Sequence, residues 1–326
     1  MKQICKTDEK GIAGQARNDS PLCKKTIVGL GEILWDVFPE RKVLGGAPAN
    51  FAYHASQFGF EGYAVSAIGK DLLGKEILDS LAEKQLNFLI ESIDYSTGTV
   101  QVTLDDKGVP QYEICENVAW DHTPFTGQTE ELARNCRAVC FGSLAQRSEV
   151  SRATIYRFLE LVPDDAYKIF DINLRQHFYN KEIIHESLQR CNVLKINDDE
   201  VKIAAQLFCH CGLDPQSPDF SEQDFCRQLL KEYNLQMVIE TKGAVGSYVL
   251  TAGETSYLDT PKVHVADTVG AGDSFTGAFV AALLHGDSIK KAHQLAVEVS
   301  AYVCTQHGAM PKLPDAFIEL FKEKII

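Results

Sequence analysis

The stretch Thr26-Ile-Val-Gly-Leu30 is the first of several short apolar runs that decide the fold class. Five similar runs follow along the chain, at 63–68, 137–141, 168–170, 193–196 and 237–241. These runs are rich in β-branched residues and largely apolar on both faces, which is typical of strands in a sheet that is covered on both sides.

Segments with helical periodicity separate these runs. In the segment 72–85, Leu73, Ile77, Leu78 and Leu81 recur at helical spacing. Comparable segments cover 49–58, 150–161, 181–190, 199–208, 222–233, 273–284 and 290–306. The alternation of strands and helices predicts an α/β protein with a three-layered αβα, Rossmann-like core around a mostly parallel sheet.

Residues 98–116 interrupt this alternation. The segments 99–104 and 111–115 have alternating side chains and flank a turn that contains Asp105 and Gly108. This pattern predicts an antiparallel hairpin. Such a hairpin is either a small β lid over a ligand or an ordinary sheet edge, and the pattern favours neither.

Length, composition and charge narrow the classes of function. The chain has 326 residues, of which 45% are hydrophobic and 24% charged, as in an ordinary globular protein. Its formal net charge of −13 argues against nucleic acid as a partner, because the surface field repels phosphates. The longest apolar stretch, 278–284, is far shorter than the roughly 20 residues that a bilayer requires. No membrane association is therefore expected.

Two segments look peripheral to the fold. Residues 1–25 are polar, lack periodicity and have no apolar core of a secretory signal, so they predict a flexible N-terminal extension and a cytoplasmic protein with reduced cysteines. Residues 209–220 contain two prolines and predict an inserted surface loop. Cys209-His210-Cys211 in that loop has soft ligands but no second pair, so we assign no metal there.

The stretch Asp267-Thr-Val-Gly-Ala-Gly-Asp-Ser-Phe-Thr-Gly277 is the richest candidate site. Small residues that open a helix expose backbone N–H groups, which together with the helix dipole bind anions. Asp273 in the first turn is out of place in a passive anion site, but a carboxylate there suits removal of a proton from a hydroxyl that attacks a phosphoryl group. A helix cap with loop glycines explains the same residues about as well.

Further polar clusters follow other predicted strands. Gly45, Gly46 and Asn50 open a helix, and Asp36 upstream could accept hydrogen bonds from sugar hydroxyls. A turn with a helix cap explains the same residues about as well. Asn197 and Glu200 could face a hydrated Mg²⁺ or could simply cap their helix. In α/β sheets ligands collect beyond the carboxyl ends of strands, so one shared crevice is expected, lined by Asp36, Asp171, Asn197, Thr241 and Gly243. The turn at 241–247 could line a nucleotide or only reverse the chain.

Two common nucleotide motifs are missing from the sequence. No G-x-x-x-x-G-K-[ST] occurs, and Leu34 breaks the G-x-G-x-x-G pattern that Gly29 and Gly31 begin. A P-loop NTPase or a standard dinucleotide-binding protein is therefore disfavoured.

Taken together, the motifs from about Thr26 to Leu320 resemble the ribokinase-like (PfkB) family of sugar and nucleoside kinases, above all its bacterial fructokinases. The two-glycine signature matches Gly45 to Asn50, and the D-T-x-G-A-G-D loop matches Asp267 to Asp273. The N-x-x-E and T-x-G-x-x-G elements match 197–200 and 241–246. The resemblance implies a single ribokinase-like domain over 26–326, with a lid from about 33–43 and 94–121 through which a homodimer forms.

The resemblance also implies a role for each matching residue. Asp273 would be the base, with Gly270, Ala271 and Gly272 as the anion hole for the transferred phosphoryl group. ATP would contact the nucleotide-binding residues Thr241, Gly243, Gly246, Gly270, Gly272, His307 and Gly308. The sugar would be held by Asp36, Gly45, Gly46, Asn50 and Arg175. Asn197 and Glu200 would organise Mg²⁺ and its waters, and Asp267 would bind a monovalent cation such as K⁺.

The expected reaction is transfer of the γ-phosphoryl group of ATP to the primary hydroxyl of D-fructose, giving fructose 6-phosphate. Ile172 stands where many fructokinases have proline, and the run Asp171-Ile-Asn-Leu-Arg175 also resembles 2-keto-3-deoxygluconate kinases. The alternatives are a 2-keto-3-deoxygluconate kinase, a ribokinase, a nucleoside kinase, and a sugar- or nucleotide-binding protein without catalytic activity.

Overall fold

The structure is a computed structural model that describes residues 25–104, 110–208 and 220–321. The predicted turn at 105–108, nearly all of the inserted loop with its Cys209-His210-Cys211 run, and residues 1–24 of the N-terminal extension lie outside the described residues.

Thirteen strands and ten α-helices alternate along the described part of the chain. The strands are β1 (Thr26–Leu30), β2 (Leu34–Val37), β3 (Lys42–Gly45), β4 (Glu61–Gly69), β5 (Asn87–Ile93), β6 (Thr99–Leu104), β7 (Pro110–Ile114), β8 (Ala138–Gly142), β9 (Tyr167–Asp171), β10 (Val193–Asn197), β11 (Met237–Thr241), β12 (Gly246–Leu250) and β13 (Thr255–Asp259). The helices are α1 (Ala47–Ser56), α2 (Leu72–Glu83), α3 (Gly127–Asn135), α4 (Glu149–Leu161), α5 (Lys181–Arg190), α6 (Asp198–Phe208), α7 (Glu222–Glu232), α8 (Ala271–Leu284), α9 (Ile289–Cys304) and α10 (Asp315–Glu319).

Nine of the strands form one sheet in the order β13-β12-β11-β10-β9-β8-β1-β4-β5. The pairs from β11 through β5 are parallel, and β12 and β13 continue the sheet in antiparallel fashion. The predicted α/β fold with a mostly parallel sheet is confirmed.

Hydrophobic clusters cover both faces of this sheet. In β1, Ile27 belongs to the cluster that includes residues of α1, α8 and α9, whereas Val28 belongs to the opposite cluster with residues of α4 to α7. Consecutive strand residues point to opposite faces, so an apolar run such as Thr26–Leu30 is buried along its whole length. This burial explains why the apolar runs predicted the central strands well.

The hairpin belongs to a second, four-stranded sheet in the order β3-β2-β6-β7. Strands β6 and β7 pair antiparallel, with Val100 opposite Ile114, while β2 pairs with β6 in parallel. The small sheet is separate from the main one, which excludes an edge hairpin of the main sheet. Its role as a lid over a ligand stays a prediction.

The sequence pattern did not predict seven elements, namely β2, β3, β5, β12, β13, α3 and α10. Strands β5 and β13 are the two edges of the main sheet, and β13 alternates exposed and half-exposed residues. Edge strands lack the double-sided burial that makes an apolar run conspicuous. Across the described ranges, no helix is both long and apolar enough to span a bilayer.

Candidate active site

The carboxyl ends of the parallel strands bring the motif residues to one edge of the main sheet. Asn197, the last residue of β10, is paired with Thr241, the last residue of β11. Asp171 ends β9 and is paired with Lys195 of β10. Parallel strands end on the same side, so residues that lie up to 70 positions apart in the sequence line one crevice.

The N-terminus of α8 lies at this crevice. Gly270 precedes the helix with φ 78°, a left-handed conformation that favours glycine. A Cβ atom on residue 270 would lie 2.6 Å from the carbonyl oxygen of Ala309, so the loop that contains Ala309 packs directly behind the turn. The N–H of Ala271 donates to Thr268 O at 3.3 Å, and the N–H groups of the following first turn have no intrahelical partner by helix geometry.

Asp273 lies in the first turn of α8 and is fixed by a residue of α1. Asn50 Nδ2 donates to Asp273 Oδ2 at 2.8 Å. Burial and the neighbouring Asp171 raise the pKa of Asp273 to about 6, while the Asn50 hydrogen bond, Lys195 and Arg175 oppose the increase. Asp273 is therefore mostly ionised at neutral pH yet close enough to its pKa to exchange a proton.

Two further carboxyl groups lie at the end of the crevice near Gly45, which we call the acceptor side. Asp36 of β2 lies against Gly45, where a Cβ atom would be 2.7 Å from Asp36 Oδ2. Burial raises the pKa of Asp36 to about 6, and Arg175 opposes this. Glu32, the second residue after the end of β1, is 3% exposed, and burial raises its pKa to about 7.

Two buried oxygen atoms on the acceptor side have no hydrogen-bond partner among the residues that the structure describes. Within the described part of the chain, Glu32 Oε2 and Asn50 Oδ1 are buried and find no hydrogen-bond partner. Arg175 is exposed and acts electrostatically on Glu32, Asp36 and Asp273. Buried polar atoms without partners cost stability unless a ligand satisfies them, so these groups are suited to a ligand rich in hydroxyl groups.

Asn197 and Glu200 form a reciprocal cap on α6. Glu200 N–H donates to Asn197 Oδ1 and Asn197 N–H donates to Glu200 Oε2, each at 2.9 Å. Glu200 Oε1 accepts from Leu174 N–H at 2.9 Å. The capping alternative is therefore present in the structure, and any role in holding Mg²⁺ comes in addition to it.

On the nucleotide side, Gly243 has φ 51° and open space around it, and Thr241 is half-buried. Gly246 is different, because a Cβ atom there would lie 2.6 Å from Leu258 O in the adjacent strand. Sheet packing therefore suffices to explain Gly246. His307 is exposed beside Gly308, whose N–H donates to Asp267 Oδ2 at 3.2 Å.

Asp267 links two loops through its carboxylate. Its Oδ1 accepts from Val269 N–H at 3.0 Å, and its Oδ2 accepts the bond from Gly308. These two backbone donors account for an acidic residue at this position, and a monovalent cation at Asp267 stays a prediction.

Sequence reasoning missed two ionisable residues of the crevice. Glu32 lies between the first strand and Asp36 and belongs to no motif that marks it. Lys195 lies within an apolar run, yet it is 8% exposed and its Nζ lies 3.1 Å from Asp171 Oδ1. A lysine inside a strand that is apolar on both faces was the signal, because a buried lysine requires a specific partner.

Comparison with known proteins agrees with this geometry. Residues 24–316 match the model of the pfkB family carbohydrate kinases. The chain is 28% identical over 310 residues to an ATP-dependent 6-phosphofructokinase of Thermoanaerobacterium thermosaccharolyticum, covering 90% of this chain and 92% of that protein. It is 26% identical over 310 residues to a fructokinase of Escherichia coli, covering 87% and 95%.

The crystal structure of a fructokinase with bound ATP from Xylella fastidiosa has the same fold, with a TM-score of 0.78 at 20% identity over 92% of this chain and 99% of that chain. The family model spans most of the chain and both relatives are covered almost in full, so the match concerns the whole crevice and not one motif. The chain belongs to the pfkB family of carbohydrate kinases, and it is a sugar kinase.

Proposed function

We propose that the protein transfers the γ-phosphoryl group of ATP to the primary hydroxyl of a neutral sugar, with D-fructose, which gives fructose 6-phosphate, as the first candidate. The observation that carries the proposal is the hydrogen bond between Asn50 and Asp273. It holds a carboxylate with a pKa of about 6 at a helix N-terminus, between an anion-binding turn and unpartnered sugar-binding groups.

The chemistry follows from the charges in the crevice. Asp273 accepts the proton of the attacking hydroxyl, since a base with a pKa near the working pH is effective. The backbone N–H groups at Gly270 and Gly272 would face the oxygens of the transferred phosphoryl group, where charge is concentrated during transfer, and that of Ala271 would join them by exchanging its 3.3 Å bond to Thr268 O. Repulsion between the phosphate and Asp273 is offset when the hydroxyl proton moves to Asp273.

The residues present fit an ATP-bound Mg²⁺ better than a preformed metal cage. Among residues 25–104, 110–208 and 220–321, no group of three or more His, Cys, Asp or Glu side chains is arranged to hold a metal. Mg²⁺ usually retains several waters and binds through substrate phosphates plus one or two carboxylates. Asn197 and Glu200 would meet those waters with the lone pairs that their capping bonds leave. When bound, Mg²⁺ would neutralise charge on the phosphates of ATP.

The nucleotide would lie over β10 and β11, on the side of the crevice opposite Asp36. Thr241 and Gly243 leave the sheet there, and His307 and Gly308 follow α9. We propose contacts from these residues to ATP, whereas Gly246 would act by allowing β12 to pack closely. The lid sheet would cover the sugar and form the homodimer contact of a cytoplasmic enzyme.

The acceptor side favours a neutral sugar over an anionic one. Glu32, Asp36 and Asp273 face it, and Arg175 is the cation that acts on all three carboxyl groups. The three carboxyl groups would repel an additional carboxylate or phosphate on the acceptor. This argues against 2-keto-3-deoxygluconate and against fructose 6-phosphate, even though one relative is a 6-phosphofructokinase.

A screen for sugar-dependent ADP release tests the proposal. The panel contains fructose, tagatose, ribose, 2-keto-3-deoxygluconate, fructose 6-phosphate, adenosine and inosine, each with Mg·ATP. We expect kcat/KM to be highest for fructose or another neutral hexose. A preference for fructose 6-phosphate, a sugar acid or a nucleoside would replace the proposed acceptor. Absence of release with every acceptor would favour a sugar or nucleotide binder, which needs no base at position 273.

A further inference from the structure

Lys195 is a buried ammonium group at the crevice to which the proposed reaction so far gives no role. It lies in β10 between Leu194 and Ile196, which are fully buried, and is itself 8% exposed. Its Nζ forms an ion pair with Asp171 Oδ1 at 3.1 Å, and the two side chains are only 10% and 6% exposed. Lys195 is therefore a positive charge in an interior where an ammonium group is costly without strong partners.

The hydrogen bonds of Lys195 leave donors to spare. Its Nζ donates to Asp171 Oδ1 at 3.1 Å, and Asp171 is the one acceptor found for it within the described residues. An ammonium group has three N–H donors. Two of them are thus available to a further acceptor, which must come from within the crevice because the lysine is closed off elsewhere.

Gly272 shows where those donors lie. A Cβ atom on residue 272 would be 2.9 Å from Lys195 Nζ and 3.5 Å from its Cε. The ammonium group thus touches the first turn of α8, immediately beside the N–H groups of the anion-binding turn and next in sequence to Asp273. Glycine at position 272 allows this approach, since a Cβ atom there would lie closer to the amine than side-chain atoms normally pack.

We propose that Lys195 is a catalytic residue whose ammonium group donates a hydrogen bond to an oxygen of the phosphoryl group during transfer, and that Asp171 is its positioning residue. The inference rests on the proposed kinase function and deepens it. In the step, the bond from the acceptor oxygen to the γ-phosphorus forms and the bond from that phosphorus to the leaving oxygen of ADP breaks. The hydroxyl proton moves to Asp273, and Lys195 keeps its own proton throughout.

A purely structural ion pair is the competing explanation, and a double variant separates the two. Removing one member of a buried pair leaves the other charge unpaired and is strongly destabilising, whereas replacing both members is often tolerated. Lys195→Met should therefore lower both stability and kcat. The double variant Lys195→Met/Asp171→Asn should regain most of the stability while kcat stays about 100- to 1,000-fold low, the usual effect of losing one charge-stabilising donor.

The decisive measurement is kcat at saturating sugar and Mg·ATP, together with the urea midpoint of each variant. A double variant that is stable and turns over within about threefold of the wild type would overturn the proposal. Arg190→Met is the control, because Arg190 pairs with Glu186 at the end of α5 that leads into the start of β10, away from the carboxyl ends of the strands, with side chains 27% and 34% exposed. It should lose stability without a matching loss of kcat. Lys195→Gln, which retains size and a donor for Asp171, gives the same test if the methionine variants do not fold.

A binding experiment tests the contact without any sugar turnover. Mg·ADP with tetrafluoroaluminate mimics the phosphoryl group in transfer, and calorimetry gives its affinity. Lys195→Gln should weaken this complex at least tenfold while leaving the affinity for Mg·ADP alone unchanged. An equal effect on both would overturn the role of Lys195. If no acceptor in the screen supports ADP release but Lys195→Gln weakens the tetrafluoroaluminate complex selectively, the proposed sugar substrate is wrong and the contact between Lys195 and the phosphoryl group still holds.

Discussion

Asn50 and Asp273 are 223 positions apart in the sequence, and the side chain of one donates a 2.8 Å hydrogen bond to the carboxylate of the other. The bond joins the first turn of α1 to the first turn of α8, two helices that pack against each other. Gly277 permits this packing, because a Cβ atom there would lie 2.9 Å from Phe51 O. The helix that carries the end of the two-glycine signature therefore also positions the proposed base.

Replacing Asn50 with alanine should move the acid limb of the pH–rate profile to higher pH. The hydrogen bond from Asn50 opposes the increase in the pKa of Asp273, so its loss lets that pKa rise above about 6. We also expect kcat to fall about 100-fold, since the carboxylate loses its positioning contact. The measurement is kcat between pH 5 and 9. Ser56→Ala, which removes a hydroxyl in the last turn of the same helix, is the control and should leave the profile unchanged.

Asp273→Asn should abolish phosphoryl transfer while leaving nucleotide binding intact. Asparagine has nearly the same size but does not accept the hydroxyl proton, and loss of a general base typically costs about 100- to 10,000-fold. In the wild type, kcat should fall as the pH drops through about 6, because the carboxylate becomes protonated. Rates by coupled assay and ATP affinity by calorimetry check this. Residual turnover of the variant with the same acid limb would show that another group is the base.

Gly270→Ala should cost more stability than Gly286→Ala, although both positions have left-handed backbones, with φ 78° and 84°. The two glycines flank opposite ends of α8. At 286 nothing lies within 4 Å of an added Cβ, so only the conformational cost of about 1–2 kcal/mol applies. At 270 the Cβ would also collide with Ala309, adding about 1–3 kcal/mol. Urea unfolding of both variants measures the difference; equal losses would mean that the loop of Ala309 moves aside freely.

The sequence predicted what depends on local pattern. Burial on both faces made the central strands visible as apolar runs, and glycine and asparagine at helix starts marked the turns for which we propose ligand binding. The boundaries of the six predicted strands agree with the structure within two residues, as for Tyr63 against Glu61. The edge strands were missed because half-exposed residues carry no such pattern.

Contacts between distant segments were beyond reach of a single sequence. Glu32 and Lys195 lie in apolar surroundings, and their importance appears only when strands β1, β9 and β10 are placed side by side. The local pattern also allowed Asn197 and Glu200 to be either a helix cap or a metal site. The reciprocal hydrogen bonds between them show the helix cap, and Mg²⁺ binding stays a prediction. The pairing of strands across the sheet, rather than residue type, shows which buried ionisable residues come together.

Glu32→Gln should flatten the dependence of stability on pH. Burial raises the pKa of Glu32 from its ordinary 4.5 to about 7, so between these values the folded state binds more protons than the unfolded chain. The free energy of unfolding must then fall as the pH rises through this window, with the full contribution of Glu32 present below pH 4.5 and lost above pH 7. A shift of this size corresponds to a change of about 3 kcal/mol at most. Urea unfolding of the wild type and the variant at pH 5 and pH 8 measures it, with the exposed Glu254→Gln as the control. If the two proteins show the same pH slope, Glu32 ionises freely in the folded state and the acceptor crevice is wetter than its burial indicates.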